Sequence, residues 1–264
     1  MTTPLLRALS RFAGWAADRR IPTPLRAPVY RAYARFTGAD LAEVRLPLEG
    51  FPSLGQFFVR ELREGARPIA VESQVLCSPV DGTVQSVGVV REGGLLQAKG
   101  RSYAPRELVG RVGADLDLEG ASAWTIYLSP RDYHRIHAPE AGELVAAEWL
   151  PGARYSVAPA VLARRIVLSI NERAVLRFET ARGPFLLVLV GALNVGRIRV
   201  VGVLPQHRGA LAPPRRFARG AELARFEMGS TIVLLTPRGM ARPVETLEPG
   251  VPVRLGQPIG VYEA

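Results

Sequence analysis

From Val75 onward the chain is cut by glycine and proline into apolar runs of six to nine residues, too short for packed helices and well suited to strands. The runs are Val84 to Val90, Ala123 to Leu128, Gly142 to Leu150, Ala174 to Glu179, Phe185 to Ala192, Ile198 to Val203 and Ser230 to Leu235. The 26 glycines and 22 prolines are spread along the sequence, so no long uninterrupted helix is expected. One helical stretch is expected near Ala158 to Arg165. The 264 residues suffice for one large domain with an appendage. The expected class is α+β: a β-rich antiparallel core, sandwich-like or barrel-like, with N-terminal amphipathic helices.

The appendage is residues 1–45, ahead of a β-rich domain at 46–264. Leu5, Leu6, Leu9, Phe12, Ala13 and Ala16 recur at helical spacing, with Trp15 at the polar boundary and Pro22 and Pro24 ending the pattern. A second helical piece carries the stripe Val29, Tyr30, Tyr33 and Phe36. Residues 1–38 hold seven arginines against Asp18, a large part of the formal net charge of +10. A basic amphipathic helix with aromatics reads as one lying in a lipid headgroup region, and equally describes a helix packed on its own domain with solvated arginines. No uncharged run reaches the roughly 20 apolar residues that cross a bilayer, and no apolar signal-peptide core is visible, so a peripheral protein is expected. The single Cys77 excludes an internal disulfide framework and a cysteine zinc site, and suits a small buried apolar role.

Three segments could carry chemistry. Ser129-Pro130-Arg131-Asp132-Tyr133-His134-Arg135-Ile136-His137 contains two of only three histidines. An i, i+3 pair meets on one face of a helical turn and is split across the faces of a strand. Zinc ligation finds no third ligand, so no metal is expected, and general acid–base work and a structural role both remain open. Asp81-Gly82 could supply a carboxylate, and equally reads as an ordinary turn. Gly229-Ser230-Thr231 opens an apolar run. Ser230 could attack the preceding carbonyl of Gly229 if a base took its proton, turning the amide into an ester. β-Elimination of that ester would leave dehydroalanine and then a pyruvoyl group. The isolated His207 reads as a solvated loop residue.

Together these segments resemble the phosphatidylserine decarboxylase family. The family's central signature is similar to Tyr127 through His137 nearly residue for residue, and its self-cleavage motif to Met228-Gly229-Ser230-Thr231, where Met228 replaces the usual Leu. Asp81-Gly82 matches as well, with supporting stretches at Phe57 to Leu62, Lys99-Gly100, Asn171 to Arg173, Val190 to Ala192, Val195-Gly196 and Gly256 to Pro258. Two departures are Ala224, where a Gly is common, and Ala158, where an Asn is common. The resemblance implies that Asp81, His137 and Ser230 form a charge-relay set cutting Gly229–Ser230, giving a β chain of residues 1–229 and an α chain of residues 230–264. It implies that Ser230 becomes the pyruvate cofactor, whose ketone forms a Schiff base with the amine of phosphatidylserine. His134 is then expected in the decarboxylation that yields phosphatidylethanolamine. It further implies a β–α heterodimer, possibly itself dimerised, on an anionic membrane at the cytoplasmic face, with no nucleic-acid partner.

Two other functions use the same residues differently. A serine hydrolase would turn Ser230, His137 and Asp81 on an external ester, but the Gly-x-Ser-x-Gly elbow is missing and Ser230 precedes a strand. A non-catalytic basic membrane-binding module would need the charge alone.

Overall fold

The computed structural model describes residues 14–92, 94–98, 101–192, 198–205, 207–227 and 230–263. Most of the first helical stripe (Leu5 to Ala13), Lys99-Gly100, Val195-Gly196 and Met228-Gly229 lie outside the described residues.

Residues 14–17 are helical, and a second helix, α1, spans Thr23–Thr37, with Pro24 in its first turn, where a missing N–H costs nothing. Its buried face is Ala27, Tyr30 and Ala34, not the whole expected stripe; Phe36 is 92% exposed and Val29 also faces out. Tyr30 stacks on Phe57 of the short helix α2 (Leu54–Phe58) at 4.5 Å and donates its hydroxyl to the Phe51 carbonyl. This forms a small core of its own with Val44 and Phe51. Residues 43–45 pair with 61–63, so this small core spans the 45/46 boundary in the chain.

The strands follow in chain order: β1 (Val75–Cys77), β2 (Gly82–Val89), β3 (Leu95–Ala98), β4 (Arg101–Tyr103), β5 (Ser122–Leu128), β6 (Arg135–His137), β7 (Gly142–Leu150), β8 (Arg173–Thr180), β9 (Gly183–Gly191), β10 (Ile198–Val200), β11 (Arg208–Phe217), β12 (Glu222–Phe226), β13 (Ser230–Thr236), β14 (Ala241–Pro243), β15 (Pro252–Val253) and β16 (Pro258–Tyr262). Helix α3 (Pro105–Val109) lies between β4 and β5, and α4 (Pro159–Leu162) between β7 and β8. Six of the seven expected strands form with small changes at their ends, while Ile198 to Val203 keeps only Ile198–Val200 before a turn. The expected helix at Ala158 to Arg165 shortens to the single turn α4.

One sheet runs in the order β11-β7-β8-β9-β13-β5-β2-β15, antiparallel at each pairing. Its central strand β13 is buried along its whole length. Alternate residues serve two cores: Ile232 and Leu234 pack on one face, Val233 and Leu235 on the other. The first face is covered by two small sheets, β1-β16-β14 and β10-β12-β6; the second is covered by α3, α4 and the β3-β4 hairpin. The class is therefore α+β with a β-rich antiparallel core, as expected.

Of the strands that the apolar runs did not announce, β11 is the longest. Arginines and Pro213-Pro214 disguise it, yet it forms the sheet's edge, and its register jumps between Ala210 and Arg215, across both prolines. Proline has no N–H for a ladder and is tolerated at such an edge bulge.

Candidate active site

Ser230 opens β13 at the middle of the large sheet, opposite Leu128 of β5 and Gly191 of β9. It is 0% exposed, and its Oγ has no hydrogen-bond partner among the described residues. A buried hydroxyl left unpaired costs about 1–3 kcal/mol, so it marks a place where stability is surrendered. The β9 side is held by Asn171, also fully buried, whose amide donates to the carbonyls of Gly191 and Tyr155 at 2.8 Å each.

Asp81 stands just before β2, on the other side of β5. The row Thr83–Tyr127–Thr231 crosses three strands, so Asp81 and Ser230 sit two strand spacings apart, roughly 10 Å. A bridging group is therefore required between them. Gly82 is obligatory here, because a Cβ would lie 2.5 Å from the Tyr127 carbonyl oxygen. The Asp-Gly pair is thus a close strand approach, and Asp81 is anchored by it. Its carboxylate takes Arg67 Nε at 2.8 and 3.0 Å, Arg67 Nη2 at 2.6 Å and the Leu255 N–H at 2.8 Å. Arg67 also pairs with Glu43 at 2.8 Å, which holds the Glu43 carboxyl below its ordinary range.

The two histidines are separated by the backbone. Residues 135–137 form strand β6, not a helical turn, and the odd spacing sends the rings to different surroundings. His134 is 0% exposed, with Nδ1 2.9 Å from the Asp132 carbonyl and its ring 4.0 Å from that of Phe58. A carbonyl only accepts, so Nδ1 carries the proton and Nε2 is a free lone pair; Nε2 has no partner among the described residues. Burial pushes the His134 pKa down to about 3, so the ring is neutral. Topology carries it toward the serine: the chain leaves β5 opposite Ser230 and reaches His134, whose carbonyl accepts from Phe226 N–H shortly before Ser230.

His137 lies between Nδ1···O=C of Gly220 at 2.8 Å and the Tyr133 hydroxyl, 3.2 Å from Nε2. Burial lowers its pKa too. It shares no hydrogen bond with Asp81, whose carboxylate is engaged by Arg67 and the Leu255 N–H. The charge-relay set that the resemblance implies thus has no Asp81–His137 hydrogen bond in this structure, the Arg67 guanidinium binding the carboxylate with a bidentate fork instead.

The supporting stretch Phe57 to Leu62 neighbours this centre. Phe58 packs on His134, Arg60 Nη2 donates to the Arg131 carbonyl at 2.9 Å, and Arg135 binds the Val59 carbonyl, Glu61 and Glu222. Asp132 accepts from the N–H and hydroxyl of Ser129, closing the turn that delivers both histidines. Residue-by-residue reading singled out none of Arg67, Tyr133 and Phe58. The last two sat inside the motifs, while Arg67 in a polar linker gave no signal of its own. His207 is half-buried, its ring within 3.1 Å of the Gly209 and Ala210 carbonyls, and not a free loop residue.

Beside the centre lies an apolar groove of about 490 Å³, lined by Tyr33, Phe36, Phe58, Tyr127, Ala158 and Ala192 among others. Ala158, where the family commonly has Asn, makes this wall apolar. A polar cavity of about 250 Å³ adjoins Asp81, Arg67, Asp132 and Tyr133. No group of three or more His, Cys, Asp or Glu that could hold a metal occurs among the described residues.

The model of the phosphatidylserine decarboxylase family matches residues 54–261, a span that includes Asp81, both histidines and Ser230. The chain belongs to this family. Relatives named phosphatidylserine decarboxylase proenzyme include one from Anaeromyxobacter sp. (strain K), 41% identical over 96% of this chain and 93% of its own length. Those from Halorhodospira halophila and Myxococcus xanthus are 42% and 38% identical, each over 96% of this chain and over 89% and 94% of their own lengths. Within this decarboxylase, Ser230 stands on a central strand and not at a surface.

Proposed function

We propose that the chain is a proenzyme that cuts itself at Gly229–Ser230 and then decarboxylates phosphatidylserine to phosphatidylethanolamine. The observation that carries this reading is the family match across residues 54–261, with Ser230 intact at the head of β13. The fit of the residues to a pyruvoyl group rests on the same serine, a fully buried hydroxyl with nothing to bond, adjacent to the scissile peptide. A serine hydrolase is disfavoured because Ser230 opens a strand and lacks the Gly-x-Ser-x-Gly elbow.

In the cutting step His137 takes the Ser230 hydroxyl proton while Oγ adds to the Gly229 carbonyl, and the peptide nitrogen leaves with a proton to give an ester. Elimination across Cα–Cβ of Ser230 then releases the 1–229 carboxylate, and hydrolysis of the resulting enamine frees ammonia and leaves the ketone. Asp81 acts as the fixed negative charge of the site. The pyruvoyl carbonyl supplies an electron sink for loss of CO2 from an amine-bearing substrate. His134, whose Nε2 lone pair is unpartnered among the described residues, takes up a proton there and passes it to the substrate carbon that has lost CO2. The apolar groove receives the lipid, and Phe36 at its rim, with Trp15, Leu25 and Val29 exposed among arginines, sets the groove against an anionic bilayer. No helix among the described residues is long and apolar enough to cross a membrane. In this reading the β–α pair works as a peripheral protein on the cytoplasmic leaflet, a placement supported by the exposed aromatic and arginine face of α1.

Intact mass spectrometry of the purified protein beside Ser230→Ala tests this. Two chains parting at Gly229–Ser230, the small one blocked by pyruvate, with the variant uncut, are expected, together with CO2 release from phosphatidylserine vesicles. A single 28.7 kDa chain in folded, active wild type would sink the self-cleavage mechanism.

A further inference from the structure

Orienting a catalytic histidine is ordinarily the work of a carboxylate, yet Asp81 makes no hydrogen bond to His137. Its carboxylate is engaged by the Arg67 fork and the Leu255 N–H. His137 is nonetheless held at both ring nitrogens. The Gly220 carbonyl at 2.8 Å can only accept, so it demands a proton on Nδ1; Nε2 is then a lone pair, and the Tyr133 hydroxyl at 3.2 Å donates to it. Each partner is built in. Gly220 adopts φ +78°, which favours glycine, and a Cβ there would meet Ile69 at 2.7 Å, so its carbonyl is aimed by a backbone that a side chain would disturb. Tyr133 is 6% exposed, and its ring lies 5.7 Å from the imidazole.

We propose that Tyr133, together with the Gly220 carbonyl, orients His137 and fixes it as the neutral Nδ1–H tautomer in the uncut chain. Tyr133 is thus a positioning residue for self-cleavage. Protonating His137 at Nε2 would turn that nitrogen into a donor facing a donor, so the hydroxyl must rotate away and its bond is lost. The bond therefore favours the neutral ring, the form able to accept the Ser230 proton. Other charges facing the ring are Arg135 on its own strand, Glu222 on β12 opposite it and Asp81 before β2; Arg135 opposes protonation and the two carboxylates favour it. The inference rests on the reading of His137 as the self-cleavage base.

The test is ring 15N NMR of His137 in the uncut Ser230→Ala chain, alone and with Tyr133→Phe or Asp81→Asn added. The Nδ1–H tautomer is expected, kept in Asp81→Asn, with the His137 titration moved up in Tyr133→Phe by about half a pH unit or more, the size of one neutral hydrogen bond. In the cleaving background Tyr133→Phe should slow cutting several-fold and shift its acid limb upward by the same amount. An Nε2–H tautomer, a tautomer that switches in Asp81→Asn, or an unmoved titration in Tyr133→Phe would overturn the proposal. Should Tyr133→Phe not fold, the same titration in Tyr133→Leu, which also removes the hydroxyl, decides it. Intact mass of the wild type separately tells whether the chain cuts itself at all, so the two readings can fail independently.

Discussion

At the scale of single residues, two buried groups set the conditions under which the site exists. Arg67 and Asp81 have side chains 9% and 8% exposed, so removing one leaves the other's charge buried and alone. Arg67→Met is expected to destabilise the uncut Ser230→Ala chain by about 3–5 kcal/mol in urea unfolding, with Arg67→Lys in between because it keeps the charge and loses the fork. A loss below 1 kcal/mol would mean that water reaches Asp81 freely. His134 sets a pH limit. Its folded pKa of about 3 lies below the 6.5 of an exposed ring, so between these values the unfolded chain binds the extra proton. The stability it contributes is complete above about pH 6.5 and is lost as pH falls toward 3. His134→Asn should flatten that part of the stability–pH curve, measured as urea midpoints between pH 4 and pH 7; an unchanged slope would show that the ring is not held neutral.

At the scale of elements, α1 is divided between two tasks. Ala27, Tyr30 and Ala34 fasten it to the small aromatic core, and the Tyr33 hydroxyl donates to the Pro130 carbonyl at 2.6 Å, on the turn that carries the histidines. The opposite face leaves Phe36 almost wholly in water at the rim of the apolar groove. Nothing in the packing of the described residues calls for a phenyl ring there. Phe36→Asp should therefore leave folding and self-cleavage unchanged while reducing co-sedimentation with anionic vesicles several-fold and raising the apparent KM for vesicular substrate. Equal vesicle binding by wild type and variant would remove α1 from the membrane contact. Edge strand β11 shows the opposite economy, since its arginines and prolines keep an exposed ladder from pairing with another sheet.

At the scale of the whole molecule, the last 35 residues are woven into the rest. β13 lies between β5 and β9, β16 between β1 and β14, and β15 pairs with β2, while Leu255 caps Asp81 and the Tyr262 hydroxyl donates to Glu140 at 2.7 Å. Cutting ahead of β13 breaks one covalent bond and none of these pairings. The two chains are expected to co-elute at neutral pH and to part only where the sheet itself unfolds in denaturant. Separation under native conditions would mean that the cut chain rearranges.

Strand positions in the core were legible in the sequence because short apolar runs between glycines and prolines leave few other local structures. Candidate motifs were legible in part: His134 and His137 are two of only three histidines, whereas Asp81-Gly82 and Gly229-Ser230-Thr231 stand out only beside them. Strand β11 was hidden because an edge is stabilised by its one neighbour and not by its own apolarity. The partners of the site residues were hidden for a related reason. Arg67 reaches Asp81 across 14 residues, Gly220 reaches His137 across 83 and Leu255 reaches Asp81 across 174. Local sequence specifies which groups are present and which secondary structure they prefer. Which of two donors wins a carboxylate is decided by distances that exist only once the sheets have packed.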